Sequence, residues 1–253
     1  MPTLNVLIQS PALLVLLCGA ALFIGLSKGG LPGAGMLAVP VLSLSMSPVN
    51  AAVLLLPIFI LSDVVAVWLY RKEFSKQNLL VLIPAGLIGV VLGWSTATMV
   101  SDAAVSLLIG LLGVTFCLYT WFGQTAQAQP REPGMARGLF WGSLSGFTSF
   151  VSHAGAPPYQ VYVLPQKLPK MVFAGTTTIL FAAVNLAKVV PYSALHPYSK
   201  QTLSVALLLV PAAIVGTVVG RLLIGIMPEK VFFTAVQIAL FLICIQLIYR
   251  AVF

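Results

Sequence analysis

The stretch SKGGLPGAG, from Ser27 to Gly35, interrupts the first apolar segment of the chain with a lysine and four glycines. The apolar segments on its two sides, at about residues 10–26 and 33–46, are each too short to cross a hydrocarbon core of about 30 Å comfortably. Backbone groups freed at membrane depth are tolerated only where they are buried in protein or line a cavity. The stretch therefore predicts a broken helix or hairpin inside a membrane protein.

The composition of the whole chain agrees with a membrane location. Only 7% of the 253 residues are charged and the mean hydropathy is +1.07, whereas soluble domains carry about 25% charged residues. The apolar runs match the roughly 20 residues of a spanning helix and are too long for barrel strands. We expect an all-α polytopic membrane protein, with residues 10–26 retained as its first segment because no Lys or Arg precedes them.

The net charge of +8, from 13 Lys and Arg against 5 Asp and Glu, lies mainly in the loops. Cytoplasmic loops carry surplus Lys and Arg, so this excess indicates topology and no nucleic-acid partner is expected. Arg71, Lys72 and Lys76 in one loop, with Arg131 and Arg137 in another, place both loops in the cytoplasm. We therefore expect a multi-pass protein of the cell inner membrane.

Apolar segments recur in the same order of long and short on both sides of one polar stretch, FGQTAQAQPREPGMAR. They lie at about 10–26, 33–46, 49–70, 77–97 and 102–122, and then at 138–152, 156–165, 170–192, 201–222 and 229–250. The predicted division is a first membrane repeat at 1–123, a cytoplasmic linker at 124–136 and a second membrane repeat at 137–253. Each repeat has four to five membrane segments.

Local matches support a duplication. SKGGLPG at Ser27 aligns with SHAGAPP at Ser152 at a shift of 125, and PAGLIGVVLG at Pro84 aligns with PAAIVGTVVG at Pro211 at a shift of 127. Two shorter matches fall between them: Ser75 with Ser199, and Asp63 near Asn185. If each broken segment is a hairpin or crosses twice, each half makes an odd number of net crossings. The repeats are then inverted, and a parallel arrangement is the alternative.

The paired PAxxxGxxxG segments have a structural explanation. Small residues four positions apart form a groove that lets a neighbouring helix approach closely. Gly89, Gly93, Gly216 and Gly220 are therefore assigned to helix packing. Leucine at Gly89 or Gly216 should damage folding, and alanine should be mild.

The two breaks also predict a binding site. Lys28 adds a full positive charge to the first, and the half-helix after each break would present free N–H groups and a positive dipole end, which suit an anion. Paired interrupted segments mark the substrate site of many transporters. The predicted substrate-binding residues are Ser27, Lys28, Gly29, Gly30, Ser152, His153, Gly155, Thr177, Asn185 and Lys188. Alternatively, Lys28 snorkels to an interface and His153 is a packing residue.

Asp63, Asn185 and Lys188 lie inside long apolar runs. Ionisable groups there are costly, so function is the default hypothesis for them. Asp63 and His153 are candidates for carrying a coupling proton, and sodium is the other coupling ion considered. The structural alternative is that Asp63 and Lys188 form an ion pair across the repeats.

Three longer stretches resemble one known family. GLSKGGLPGAGMLAVPVL in the first half, and GFTSFVSHAGAPPYQVYVLP followed by FAGTTTILFAAVN in the second, are similar to the TauE/SafE sulfite exporter family, also called the toluene sulfonate uptake permease family. The resemblance implies a bacterial-type inner-membrane protein that moves sulfite or organosulfonate anions. It does not fix which sulfur anion is moved.

The expected function is transport, most simply export, of a small sulfur-containing anion bound at mid-membrane between the repeats. The chain has no GxxxxGK[ST] phosphate loop, and its three cysteines lack metal-type spacing, so no cofactor or metal is expected and a homo-oligomer is compatible with the sequence. An inside-negative potential drives an anion outward by about 2.3 kcal/mol per charge per 100 mV, whereas import needs coupling. The alternatives are a passive anion channel and an intramembrane hydrolase using Ser149 or Ser152 with His153.

Overall fold

The computed structural model describes residues 11–31, 34–99, 101–122, 130–226 and 229–252, and these residues include no strand. The helices are α1 Pro11–Lys28, α2 Ala38–Ser43, α3 Pro48–Tyr70, α4 Lys76–Thr96, α5 Asp102–Phe122, α6 Met135–Ser152, α7 Ala156–Val163, α8 Lys170–Leu195, α9 Lys200–Ile226 and α10 Glu229–Val252. Short 3-10 helices lie at Ala34–Leu37, Ala97–Met99 and Leu164–Gln166. The all-α prediction is confirmed.

Five of the described helices are long and apolar enough to cross a membrane: Pro11–Lys28, Pro48–Tyr70, Lys76–Thr96, Lys170–Leu195 and Lys200–Leu223. Large apolar side chains on their outer faces are exposed, such as Leu80 of α4 and Leu207 of α9. Exposed apolar faces of this kind suit contact with lipid chains. The chain is therefore a multi-pass membrane protein, as predicted.

Both predicted interruptions are present. α1 ends at Lys28, and Gly30 follows with φ of 116°, a conformation that glycine adopts without steric cost. Pro32, which belongs to the SKGGLPGAG stretch, lies outside the described residues. α6 ends at Ser152, and His153 has φ of 55°, which is uncommon for a residue with a Cβ. Each break leads into a short helix, of six residues in α2 and eight in α7.

Close backbone packing fixes the first break against α9. Gly25 of α1 and Gly29, which directly follows α1, face Gly216 and Gly220 of α9, and a Cβ added to Gly29 would lie 2.8 Å from the Cα atom of Gly220. A Cβ at Gly216 would lie 3.0 Å from the Cα atom of Gly25. The predicted packing role of Gly216 and Gly220 is confirmed. The expectation that alanine is mild at Gly216 is wrong, since its Cβ would meet rigid backbone.

The same kind of contact joins α4 to α6 of the second break. Gly89 faces Gly146, whose Cα atom would lie 2.9 Å from a Cβ added to Gly89. Gly93 faces Phe150, with the Phe150 Cβ atom 2.9 Å from the same hypothetical atom. The packing role predicted for Gly89 and Gly93 is confirmed, and alanine at Gly89 again meets backbone.

Hydrogen bonds between loops define one end of the bundle. The Arg131 N–H donates to the Pro165 carbonyl at 3.0 Å, and the Ser75 N–H donates to Thr176 Oγ1 at 2.8 Å. These bonds bring together the loop after α3, the segment before α6, the loop after α7 and the start of α8. We call this end the basic side, because its loops and helix starts carry Arg71, Lys72, Lys76, Arg131, Arg137, Lys167 and Lys170.

The helix directions follow from these contacts. α6 starts at the basic side and the chain returns there after α7, so these two helices form a hairpin that opens to the basic side. α9 starts at the opposite side, where the Tyr198 hydroxyl donates to the Val53 carbonyl near the start of α3 at 3.3 Å. α1 runs parallel to α9, and α2 leads back to α3. The first hairpin thus opens to the opposite side.

Candidate functional site

A small central cavity lies between the two breaks. It is lined by Ser27, Lys28, Gly35 and Met36 of the first break, Phe59 of α3, Ser149, His153 and Ala156 of the second break, and Thr177, Phe181 and Asn185 of α8. Its volume is about 40 Å³. One ordered water needs at least about 10–15 Å³ of such space, so the cavity can hold roughly three waters or one small ion.

Lys28 enters this cavity from the end of α1. Its Nζ atom lies 2.5 Å from Oδ1 of Asp63, and 5.5 Å from the centre of the Phe59 ring. The Asn185 amide donates to the other carboxylate oxygen of Asp63 at 2.7 Å. Lys28 is only 5% exposed, so it does not snorkel to an interface. Asp63 pairs with Lys28 and not with Lys188, which corrects the structural alternative considered for it.

Lys188 holds the second break in place from behind the cavity wall. Its Nζ atom donates to the carbonyl and the hydroxyl of Ser149, both at 3.1 Å, and lies 2.7 Å from Nδ1 of His153. The other ring nitrogen, Nε2, lies 2.9 Å from the Ala52 carbonyl, which can only accept. These partners assign the proton of a neutral His153 to Nε2, leaving Nδ1 to accept from the lysine.

The cluster holds two basic side chains and one acidic one. With both lysines as ammonium groups, Lys28 and Lys188 would face a single carboxylate, that of Asp63, and all three side chains are buried. The contacts of Lys188 are all with neutral groups, the two oxygens of Ser149 and the ring of His153. A buried charge is costly unless a counter-charge or strong hydrogen bonds compensate it. A cavity bordered by this excess positive charge suits an anion.

Hydroxyl and amide groups complete the polar wall. Ser27, Ser149, Thr177 and Asn185 border the cavity, and Ser27, Ser149 and Asn185 can each donate a hydrogen bond into it. The Thr177 hydroxyl lies 2.7 Å from the Phe173 carbonyl and 2.9 Å from the Tyr159 hydroxyl, so its own helix fixes its position. The opposing walls are apolar, from Phe59 and Phe181 among others. This mixture can hold a small oxyanion in a fixed orientation.

The backbone ends at the breaks contribute less than the sequence suggests. α7 begins at Ala156, but its next two residues are Pro157 and Pro158, which have no N–H to offer. α2 has only six residues, and the Ala34 N–H before it already donates to the Leu31 carbonyl at 3.2 Å. The expected half-helix anion sites are therefore weak here, and side chains supply most of the polar contacts.

Some predicted site residues lie away from the cavity. Gly29 packs on α9 and its carbonyl accepts from the Tyr70 hydroxyl at 2.8 Å, while Gly30 forms the turn. The Ser152 hydroxyl donates to the Thr148 carbonyl of its own helix at 3.2 Å. Gly155 caps α7, its carbonyl accepting from Ser145 at 2.7 Å. These positions shape the breaks, whereas Ser27, Lys28, His153, Thr177 and Asn185 line the cavity directly.

Several lining residues carried signals that the sequence analysis did not use. Phe59 precedes Asp63 by four positions and Phe181 precedes Asn185 by four, so each pair shares a helix face. Ser149 likewise precedes His153 by four. Phe59 and Phe181 are separated by 122 positions, as are Asp63 and Asn185, so α3 and α8 align without a gap. The shared separation of 122 positions was the sequence signal that could have identified Phe59 and Phe181 as lining residues.

The serines do not form a hydrolytic pair with His153. Both ring nitrogens of His153 are used, one by Lys188 and one by the Ala52 carbonyl. The Ser149 hydroxyl accepts from Lys188, and the Ser152 hydroxyl donates to Thr148. A general base must reach the proton it removes. In this arrangement no serine hydroxyl faces His153 as a nucleophile would.

Comparison with known proteins gives one family. The family model described as sulfite exporter TauE/SafE matches residues 17–247 of the 253-residue chain. No curated protein and no solved structure shows a significant match. The matched range includes both breaks and every residue that lines the central cavity.

Proposed function

Since the chain belongs to the sulfite exporter TauE/SafE family, we propose that it carries a small sulfur-containing anion, such as sulfite or an organosulfonate, across the inner membrane and binds it in the central cavity. The family is one of transporters, and the chain is a multi-pass membrane protein. The central cavity is the binding site in this proposal, and export is the direction of transport.

The observation that carries the proposal is the charge of the buried cluster. Lys28 lines a cavity that has room for a small ion, Lys188 lies behind its wall, and the carboxylate in the cluster is that of Asp63. A bound oxyanion would offset the excess charge and accept hydrogen bonds from Lys28 and the nearby hydroxyls. Charge-assisted hydrogen bonds of this kind are about twice as strong as neutral ones. The same excess positive charge would repel a cation.

The helix directions support inverted repeats. The α1–α2 hairpin opens to the opposite side and the α6–α7 hairpin opens to the basic side, while the helices that follow them, α3 and α8, run in opposite directions. Transporters built from inverted repeats bind substrate at the repeat interface near mid-membrane. The central cavity takes walls from both hairpins and from both following helices, as this model of transport requires.

The basic side is cytoplasmic in this proposal, together with the linker at 124–136. Arg71, Lys72 and Lys167 lie in loops at that side, and short cytoplasmic loops are enriched in Lys and Arg. Lys200 lies at the opposite end, at the start of α9. An inside-negative membrane potential then favours movement of an anion from the basic side to the opposite side by about 2.3 kcal/mol per charge per 100 mV.

Asp63 is the proposed coupling group. The Asp63 carboxylate is paired with Lys28, so a bound anion and the Asp63 charge would compete for the same ammonium group. Binding of a proton, or of a sodium ion, to Asp63 would release Lys28 for the anion. His153 is the second coupling candidate. This arrangement allows uptake with a cation, while export by the membrane potential needs none.

Counterflow in proteoliposomes tests the function. Vesicles loaded with unlabelled sulfite should transiently accumulate labelled sulfite, and the uptake should saturate. Lys200→Gln is a matched control, because it removes a basic group at the opposite end and leaves the cavity intact. Flux that neither saturates nor shows counterflow would identify a passive channel. Absence of both flux and binding for sulfite, thiosulfate and simple sulfonates would refute the proposal.

A further inference from the structure

A second cavity lies on the opposite side, directly outside the central one. Its volume is about 620 Å³, and its walls include Asn50, Ala52, Ala97, Phe150, Tyr192 and His196. These residues come from the start of α3, from the ends of α6 and α8, and from the positions directly after α4 and α8. We call this space the vestibule. It is much larger than any water-sized void that close packing leaves.

One layer of residues separates the vestibule from the central cavity. Ala52 lines the vestibule and His153 lines the central cavity, and the Ala52 carbonyl lies 2.9 Å from Nε2 of His153. Tyr192 stands beside this contact, its ring 6.1 Å from that of His153. The Tyr192 hydroxyl donates to the Phe150 carbonyl, and the two rings pack edge to face at 5.1 Å. This layer blocks passage between the two spaces.

A tyrosine makes the corresponding bond on the basic side. The Tyr70 hydroxyl donates to the Gly29 carbonyl at 2.8 Å, and the Arg221 guanidinium lies 5.0 Å from the centre of the Tyr70 ring. Tyr70 and Tyr192 are 122 positions apart, the same separation that relates Phe59 to Phe181 and Asp63 to Asn185. The two tyrosines are therefore equivalent positions of the two repeats.

Each tyrosine bonds to the end of the helix that precedes a break. Phe150 lies in the last turn of α6, and Gly29 follows directly after α1. Carbonyls at a helix C-terminus have no intrahelical partner. A side chain can therefore form or break a hydrogen bond to such a carbonyl without disrupting the helix. The bonds can thus open and close while α1 and α6 stay folded.

We propose that Tyr70 and Tyr192 are the two gate residues of the central cavity, and that the vestibule is the path to the opposite side. Release of the Tyr192–Phe150 bond connects the cavity with the vestibule, and release of the Tyr70–Gly29 bond connects it with the basic side. The inference rests on the proposed function for its substrate, but the gates themselves are defined by access to the cavity. Both bonds are formed in this structure.

Thiol labelling from each side tests the gates without any substrate. Ser27→Cys places a reporter in the central cavity, and Ala97→Cys places one in the vestibule. A membrane-impermeant thiosulfonate reagent is applied to one side of oriented vesicles at a time. The chain without an added reporter sets the background from its three native cysteines. The Ala97→Cys reporter should react from the opposite side in every variant.

The two gate variants should have opposite effects. Tyr192→Phe keeps the ring but removes the hydrogen bond, so labelling of the Ser27→Cys reporter from the opposite side should become about two- to ten-fold faster. Tyr70→Phe should increase labelling from the basic side by a similar factor. Tyr162→Phe is the control, since its hydroxyl donates to the Gly134 carbonyl away from both breaks.

The side dependence distinguishes gating from a structural role. A purely structural tyrosine, when changed, would alter labelling from both sides together or not at all, and either result in folded protein would overturn the proposal. Failure of the Ala97→Cys reporter to react from the opposite side would remove the vestibule as a path. Because no anion is involved, these results stand whether or not sulfite proves to be the substrate.

Discussion

Lys28 and Asp63 form an ion pair with an N–O distance of 2.5 Å inside the membrane-spanning bundle, joining the first broken helix to α3. In the proposed mechanism this pair competes with the anion, because the ammonium group that would bind the anion already has a counter-charge. The Asn185 side-chain amide, from the second half of the chain, donates a hydrogen bond to the other oxygen of the Asp63 carboxylate at 2.7 Å. The contact therefore links substrate binding to the packing of both halves, and it can be tested through either residue.

Removing the Asp63 charge should weaken the fold and strengthen anion binding. Asp63→Asn leaves Lys28 buried without its counter-charge, and breaking a buried ion pair from one side costs about 3–5 kcal/mol. The melting temperature of the empty protein should fall. Since the anion no longer competes with a carboxylate, methanesulfonate should bind about ten-fold or more tightly and restore much of the lost melting temperature. A weaker binder would show that Asp63 does not compete with the substrate.

The pH dependence of binding tests Asp63 as the coupling group. Protonation of Asp63 would free Lys28, so the affinity for methanesulfonate, whose own charge does not change near neutral pH, should rise as the pH falls. Asp63→Asn should bind it with an affinity that is nearly independent of pH. Binding is measured on purified protein between about pH 5 and pH 8, with unfolding monitored separately. An unchanged pH profile in the variant would assign the coupling to another group, with His153 the next candidate.

The positions of the breaks and the helix-packing glycines could be predicted from the sequence because they depend on local chemistry. Glycine, proline and charge in an apolar run are costly in lipid unless the backbone is buried. The stretches SKGG and SHAG therefore predict where the helices are interrupted. The partner of Asp63 could not be predicted in this way. Which lysine reaches a carboxylate depends on how α1, α3 and α8 pack, and the partner considered from the sequence was Lys188, whereas the structure pairs Asp63 with Lys28.

Alanine substitutions of glycine distinguish backbone contact from looser packing. A Cβ at Gly89 would lie 2.6 Å from the Phe147 backbone nitrogen, whereas one at Gly19 would have no neighbour within 4 Å. Gly89→Ala should therefore lower the melting temperature and the yield of folded protein. Gly19→Ala, in the interior of α1, should be neutral or stabilise by up to about 1 kcal/mol. Equal melting temperatures would mean that α4 and α6 can separate easily.

The role of net charge is tested by neutralising one acidic and one basic residue, separately and in combination. Lys188→Gln alone makes the cluster neutral and should weaken sulfite binding, while Asp63→Asn alone should strengthen it. The double variant Asp63→Asn/Lys188→Gln restores the excess of one positive charge and keeps Lys28, so its affinity should return to within a few-fold of the unmodified protein. A double variant that binds sulfite no better than Lys188→Gln alone would contradict the role assigned to net charge.

The most direct test asks whether Lys28 itself binds the anion. The double variant Lys28→Gln/Asp63→Asn leaves no unpaired carboxylate and keeps the same net charge through Lys188, which does not line the central cavity. Its affinity for sulfite, measured by direct binding on folded protein, should fall by about 10- to 150-fold, as expected for loss of a charge-assisted hydrogen bond of roughly 1.5–3 kcal/mol. Lys200→Gln should bind normally. Unchanged sulfite affinity in the folded double variant would contradict the account, because it would remove Lys28, and with it the central cavity, from the binding site.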